Sequence, residues 1–138
     1  MDILNYFKEV NAQKQINKLA KKYKNKRIVL YGAGEYFKIL SENYDLSRLN
    51  IVGICDKKFE ATKENNPSKY FALEPNELKT FDYDVILSVL YDDTSLLKFL
   101  EYKLLLNTKN ENCEIASLIE PTLKYIIKLF LWENLWVF

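Results

Sequence analysis

Lys26-Arg27-Ile28-Val29-Leu30-Tyr31-Gly32-Ala33-Gly34-Glu35 decides the reading of this 138-residue chain. Four apolar residues run into two glycines, and Ala33, Tyr36, Phe37, Leu40 and Tyr44 then recur at three- and four-residue steps. The pattern predicts a strand that turns sharply into a helix ending near Asn43. Such a turn aims unpaired backbone N–H groups and the positive end of a helix dipole at one point, which suits a phosphate. Gly32 permits the tight turn and Gly34 the close approach of a pyrophosphate, so the spacing opens the fingerprint G-x-G-x-x-G. Phe37 stands where the third glycine would be. The motif therefore calls for a nucleotide-shaped ligand without specifying NAD.

Outward from the turn, apolar runs alternate with helical patterns. Upstream, Ile3, Tyr6, Phe7 and Val10, then Ile16, Leu19, Ala20 and Tyr23, predict one amphipathic helix or two short ones. Downstream, Ile51-Val52-Gly53-Ile54-Cys55 is continuously apolar and ends in Asp56, as a buried parallel strand would. A polar stretch from Lys57 to Lys69 reads as an irregular loop, Tyr70-Phe71 as a short edge strand, and Pro75-Asn76-Glu77-Leu78 as one or two helical turns. Val85 to Leu90 is the next strand. Asp92, Asp93, Thr94 and Ser95 offer N-caps to a helix carrying Leu96, Leu97, Leu100 and Leu104, and Glu114 to Leu118 is the last strand.

Strands alternating with helices specify right-handed βαβ units. The expected fold is α/β, a Rossmann-like three-layer domain with a parallel sheet in the order 3-2-1-4-5, spanning residues 26–120. An N-terminal helical extension, 1–25, precedes it and an apolar C-terminal helix, 121–138, follows. No repeat, low-complexity tract or linker argues for a second domain.

Composition narrows the function classes. Twenty basic and 19 acidic side chains leave a net charge of +1, so a nucleic-acid partner is not expected. Lys21, Lys22, Lys24, Lys26 and Arg27 read as a solvated helix end. Cys55 and Cys113 lack C-x-x-C spacing and fall in or beside apolar runs, where cysteine acts as a small hydrophobe. With no secretory leader and no run of 18 uncharged apolar residues, the expected location is the cytoplasm. Histidine is absent, which removes the commonest general base and the commonest metal ligand.

In such a fold a ligand binds outside the carboxyl ends of the strands, at the switch point. Asp82 and Asp84 precede their strand and belong to the opposite edge, as solvated structure. Ser88, Tyr91, Asp92 and Asp93 lie on the ligand edge. Asp56 follows Gly34 by 22 positions, near the offset at which an acidic residue meets ribose hydroxyls; it equally suits a cap on the following turn. Lys57 and Lys58 are phosphate contacts or exposed loop charges. Glu35 suits the helix dipole but repels a phosphate, so it either points away or accepts hydrogen bonds from a sugar or base. Tyr31 and Tyr36 stack on a ring or pack in the core. Adjacent Asp92 and Asp93 make a poor cation cage, so helix capping is their expected role.

The run Val29 to Glu35, the strand Ile51 to Asp56, the element Leu73 to Leu78 and Asp82 to Ser88 together resemble the small Rossmann-like domains of bacterial surface-polysaccharide biosynthesis. Such domains form the nucleotide-sugar-binding N-terminal part of sugar N-acetyltransferases, and related ones are attached to sugar methyltransferases and glycosyltransferases. The resemblance covers about residues 26–120. It implies a nucleotide or a UDP- or CMP-sugar as ligand, with Gly32, Ala33 and Gly34 as the phosphate turn, Asp56 addressing the nucleoside and Ser88 lining the cleft. Glu35, Tyr36 and Lys57 complete the candidate set by position. No acyltransferase β-helix repeats follow residue 120, so acetyl transfer is not implied; the expectation is a binding module beside a partner, or a fragment of a larger protein. An NAD-dependent oxidoreductase or epimerase is a weaker reading, because the chain has no Tyr-x-x-x-Lys pair. A third reading is an interaction module whose Rossmann site has decayed.

From Tyr125 to Phe138 the sequence is apolar almost all round, and a helix with so little polar face must be buried. It packs on the N-terminal helix, or joins a homodimer or partner enzyme through residues 122–138, with Trp132, Trp136 and Phe138 as anchors. Membrane contact is disfavoured, because Lys124 and Lys128 do not make a strongly basic face.

Overall fold

In the computed structural model, which describes residues 2–135, the run before the glycine turn is strand β1 (Ile28–Tyr31). It pairs on both sides, with β2 (Ile51–Cys55) and β4 (Val85–Ser88). β3 (Ala72–Leu73) and β5 (Glu114–Ser117) flank these. Among the described residues the five strands form one parallel sheet in the expected order, β3-β2-β1-β4-β5. Every residue of β1 and β4 is buried, which is why β1 reads as an unbroken apolar run and β4 as one up to Ser88.

The helices are α1 (Ile3–Glu9), α2 (Ala12–Lys22), α3 (Glu35–Asn43), α4 (Thr94–Phe99), which continues as a π-helical turn over Leu100–Leu104, and α5 (Leu123–Leu135). Alternation along the strands divides the core between the two faces of the sheet. Ile28, Leu30 and Leu87 pack with Phe7, Ile16, Phe37 and Leu40 from α1, α2 and α3. Val29, Tyr31 and Ile86 pack with Leu78, Leu100 and Leu104 on the other face. Phe37, in place of a third glycine, is thus a core residue. Residues 1–25 supply Tyr6, Phe7, Val10 and Ile16 to the same core as the sheet.

The N-terminal pattern is two helices. Asn11 stands between them in the left-handed region (φ 54°, ψ 59°), which asparagine tolerates better than most residues. The edge strand lies two residues beyond Tyr70-Phe71, because the register that buries Ala72 and Leu73 leaves Phe71 outside, stacked on Phe81. β4 ends at Ser88 because β1 leaves the sheet at Gly32; Val89 donates the last bond of that ladder, to the Tyr31 carbonyl at 2.8 Å. Among the described residues, no helix is long and apolar enough to cross a membrane. Trp136 and Phe138, expected as anchors, lie outside the described residues.

At the amino edge of the sheet, Asp84 accepts hydrogen bonds from the Arg27 backbone N–H (2.8 Å), Nε (3.2 Å) and Nη2 (3.1 Å), joining the entrances of β1 and β4. Asp82 pairs with Lys109. Both acids serve structure, as their position implied. The Arg27 hydrogen bonds hold the Asp84 carboxyl down to about 2. A carboxyl whose folded pKa lies below its unfolded value of roughly 3.9 stabilises the fold above that value and loses the contribution as pH falls through the folded one. Asp84→Asn is therefore expected to flatten the loss of stability between about pH 4 and pH 2. Urea midpoints measured across that range check it: an equal fall in both proteins would show that the fork contributes nothing.

Candidate functional site

The site begins with a backbone constraint. Gly32 has φ +124°, a region side chains rarely adopt, and a Cβ placed there would lie 2.6 Å from the Val89 carbonyl oxygen. The chain can therefore leave β1 beside β4 at this point because residue 32 is glycine. The Gly32 N–H donates to the Cys55 carbonyl at 2.8 Å, tying the turn to the end of β2.

Asp56 completes the tie. Its Oδ2 accepts from the Ala33 N–H at 2.8 Å and its Oδ1 from the Lys58 N–H at 3.0 Å, which caps the 3₁₀ turn Lys57–Glu60. The Lys58 Nζ donates to the Ala33 carbonyl. Both backbone polar groups of Ala33 are thus bonded within the protein. Capping, one of the two roles open to Asp56, is the one its contacts show. Lys58, half-buried, reaches the glycine turn, while Lys57 is exposed.

What remains open is the first turn of α3. Its leading N–H groups have no partner within the helix, and no side chain caps it. Gly34 occupies the N-cap with extended backbone (φ −99°, ψ −155°), and a Cβ built there meets no atom within 4 Å. Glu35 is exposed beside it. Tyr36 turns inward, 8% exposed, with its ring 4.8 Å from Phe7 and its hydroxyl without a hydrogen-bond partner.

Tyr36 belongs to a tyrosine cluster on the carboxyl edge. Tyr6, from α1, lies 5.2 Å from the Tyr91 ring and 5.1 Å from the Tyr125 ring. Burial pushes the Tyr6 hydroxyl up to about 12, with Tyr91, Tyr125 and Asp93 adding to the shift. Burial, then Tyr6, Asp93 and Tyr91, raise Tyr36 as well. Both shifts keep the hydroxyls protonated at neutral pH.

Ser88 ends β4 in register with Tyr31 and Ser117. It is 1% exposed and its Oγ has no partner, so it lies sealed below the edge. Asp93 stands at the N-cap of α4, yet its carboxylate accepts from the Ser117 hydroxyl instead of capping the helix. That hydroxyl comes from β5, 24 residues away, and competes successfully for the acceptor. Asp92 is exposed. The structure thus brings Gly32, Ala33, Asp56 and Lys58 into one clamp and leaves Gly34 and Glu35 as the accessible turn, with Tyr36 buried in the core and Lys57 and Ser88 outside both. Tyr6 was hidden from sequence reasoning, since its spacing marks only a helix face turned to the core.

Sheet order, glycine turn and the acidic end of β2 define a Rossmann-like α/β domain. Comparison with protein-family models, curated proteins and solved structures finds no match to the chain.

Gly32→Ala is expected to cost about 2–4 kcal/mol, combining backbone strain with the Val89 clash. Urea denaturation measures it, and a loss below about 0.5 kcal/mol would show that the turn relaxes. Asp56→Ala is expected to cost about 1–3 kcal/mol through the loss of two accepted hydrogen bonds. Lys57→Ala should leave the same midpoint unchanged; equal losses in the two variants would rule out the clamp.

Proposed function

We propose that this domain binds a nucleotide or nucleotide-sugar in bacterial cell-surface polysaccharide biosynthesis, in the cytoplasm, and performs no chemistry of its own. One observation carries the reading: the uncapped N-terminus of α3 opens to free space at Gly34. A diphosphate takes the first amides of α3, where the helix dipole favours negative charge. The exposed Glu35 carboxylate accepts from sugar or base hydroxyls. The resemblance to polysaccharide-biosynthesis domains favours a UDP- or CMP-sugar over NAD, and a partner enzyme supplies the catalysis. The absence of histidine and the protonated hydroxyls of Tyr6 and Tyr36 support binding over turnover.

One finding favours a second reading, an interaction module with a degenerate site. Asp56 and Lys58 already satisfy Ala33, so part of the phosphate turn is filled by the protein's own groups.

Gly34→Asp separates folding from binding. Aspartate is a favoured N-cap residue and the backbone there suits any side chain, so stability should hold or rise by a few tenths of a kcal/mol. The new carboxylate faces the ligand phosphate, and affinity should fall at least tenfold. Thermal unfolding with UDP-sugars, CMP-sugars and NAD reads both effects, since ligand at about 100 times Kd adds roughly 2.7 kcal/mol. Absence of any shift in the unsubstituted protein at millimolar ligand would reject the binding module and leave the second reading.

A further inference from the structure

We infer that the outer edge of β5, with the groove between it and α2, takes an acidic segment of a partner protein as a sixth strand of the sheet. β5 closes one side of the sheet, and its parallel ladder to β4 uses alternate residues. The Glu114 N–H donates to the Asp84 carbonyl and the Leu118 N–H to the Ser88 carbonyl. By that alternation the backbone groups of Ile115 and Ser117 point away from β4, and among the described residues nothing bonds them. Unpaired donors and acceptors in this spacing are met by another extended backbone. The opposite edge offers less: β3 has two residues, and its ladder to β2 through Phe71 and Leu73 leaves Ala72 alone turned outward.

A groove gives the added strand a second contact. α2 runs beside β5 in the opposite direction. At one end Gln15 exchanges two hydrogen bonds of 2.9 Å with the backbone of Glu120. At the other, burial pushes the Tyr23 hydroxyl up to about 12, with the Glu114 carboxylate adding to the shift. Between these ends lies a cavity of about 440 Å³, lined by Leu19, Tyr23, Ala116 and Leu118 and by Lys18 and Lys22. Sites of roughly 300–1,000 Å³ hold ligands.

Charge selects the occupant. α2 carries Lys14, Lys18, Lys21 and Lys22 and no acidic residue. Among the described residues none of these lysines is in an ion pair, and Lys18 and Lys22 stand exposed at the groove. They are about 6 Å apart along the helix axis, against roughly 6.6 Å between alternate residues of a strand. Carboxylates at every second position of the added strand therefore reach both. Glu120 also lines the groove, at its Gln15 end, so one carboxylate opposes two lysines. A second copy pairing its own β5 about a two-fold axis would bring its α2 lysines toward these, and like charges repel. A phosphate backbone has no donor for the outward carbonyls of Ile115 and Ser117, whereas a peptide has one at each amide.

Fluorescence polarisation of a labelled hexapeptide alternating glutamate and valine, titrated with the full chain to about 500 µM, tests this. The signal should saturate, and a lysine–valine hexapeptide should bind at least tenfold more weakly. Methylating the backbone nitrogens of the acidic peptide keeps its charge but removes its strand donors, so binding should disappear. Lys18→Gln with Lys22→Gln should weaken binding about fivefold and leave the urea midpoint of the fold unchanged. Lys38→Gln, on the crossover helix between β1 and β2, should leave the affinity as it is. No saturation, equal binding of the lysine or methylated peptide, displacement by a lower concentration of single-stranded oligonucleotide, or a dimer that excludes the peptide in sedimentation velocity would each overturn the inference.

Discussion

The carboxylate of Asp56 accepts one hydrogen bond from the Ala33 amide and one from the Lys58 amide, and the rest of the carboxyl edge takes its shape from that pair. Bonds to an ionised acceptor are shorter and stronger than those between neutral groups, so they hold the glycine turn against the end of β2. With Gly32 pressed against the Val89 carbonyl on the other side, the chain has one exit from β1. That exit sets the direction of α3, and hence where its free amides point.

The clamp also divides the turn chemically. Ala33 is spent on the protein and the Gly34 carbonyl accepts from the Lys38 N–H, while the leading amides of α3 have no partner within the helix. An edge arranged in this way offers fixed donors and a helix dipole. The buried Tyr36 and Ser88 hydroxyls, left without partners, are the unsatisfied polar groups nearest that edge.

α1 joins the carboxyl edge to α5. Its Tyr6 enters the tyrosine cluster above the switch point, and its Glu9 holds Lys128 of α5. The same short helix buries Phe7 against Tyr36 and completes one face of the sheet core. Residues that spacing alone assigns to an extension are therefore part of the packing that holds the candidate site.

Strands, their order and the amino-edge acids were legible in the residues themselves. Burial on both faces makes a parallel strand an unbroken apolar run, right-handed crossovers restrict the order, and a position before or after a strand decides the edge on which a side chain emerges. Gly32 was legible for the same local reason, a turn that only glycine takes without strain. Other features depend on partners remote in the chain: Asp56 bonding Ala33, Asp93 choosing Ser117 over its own helix, Tyr6 reaching Tyr91, and α5 leaving Leu123, Ile127 and Leu131 in water. Periodicity reports which face of an element is apolar, because that follows from backbone geometry. Which distant group meets a given acceptor or ring is decided when the layers pack, and tertiary structure alone determined that here.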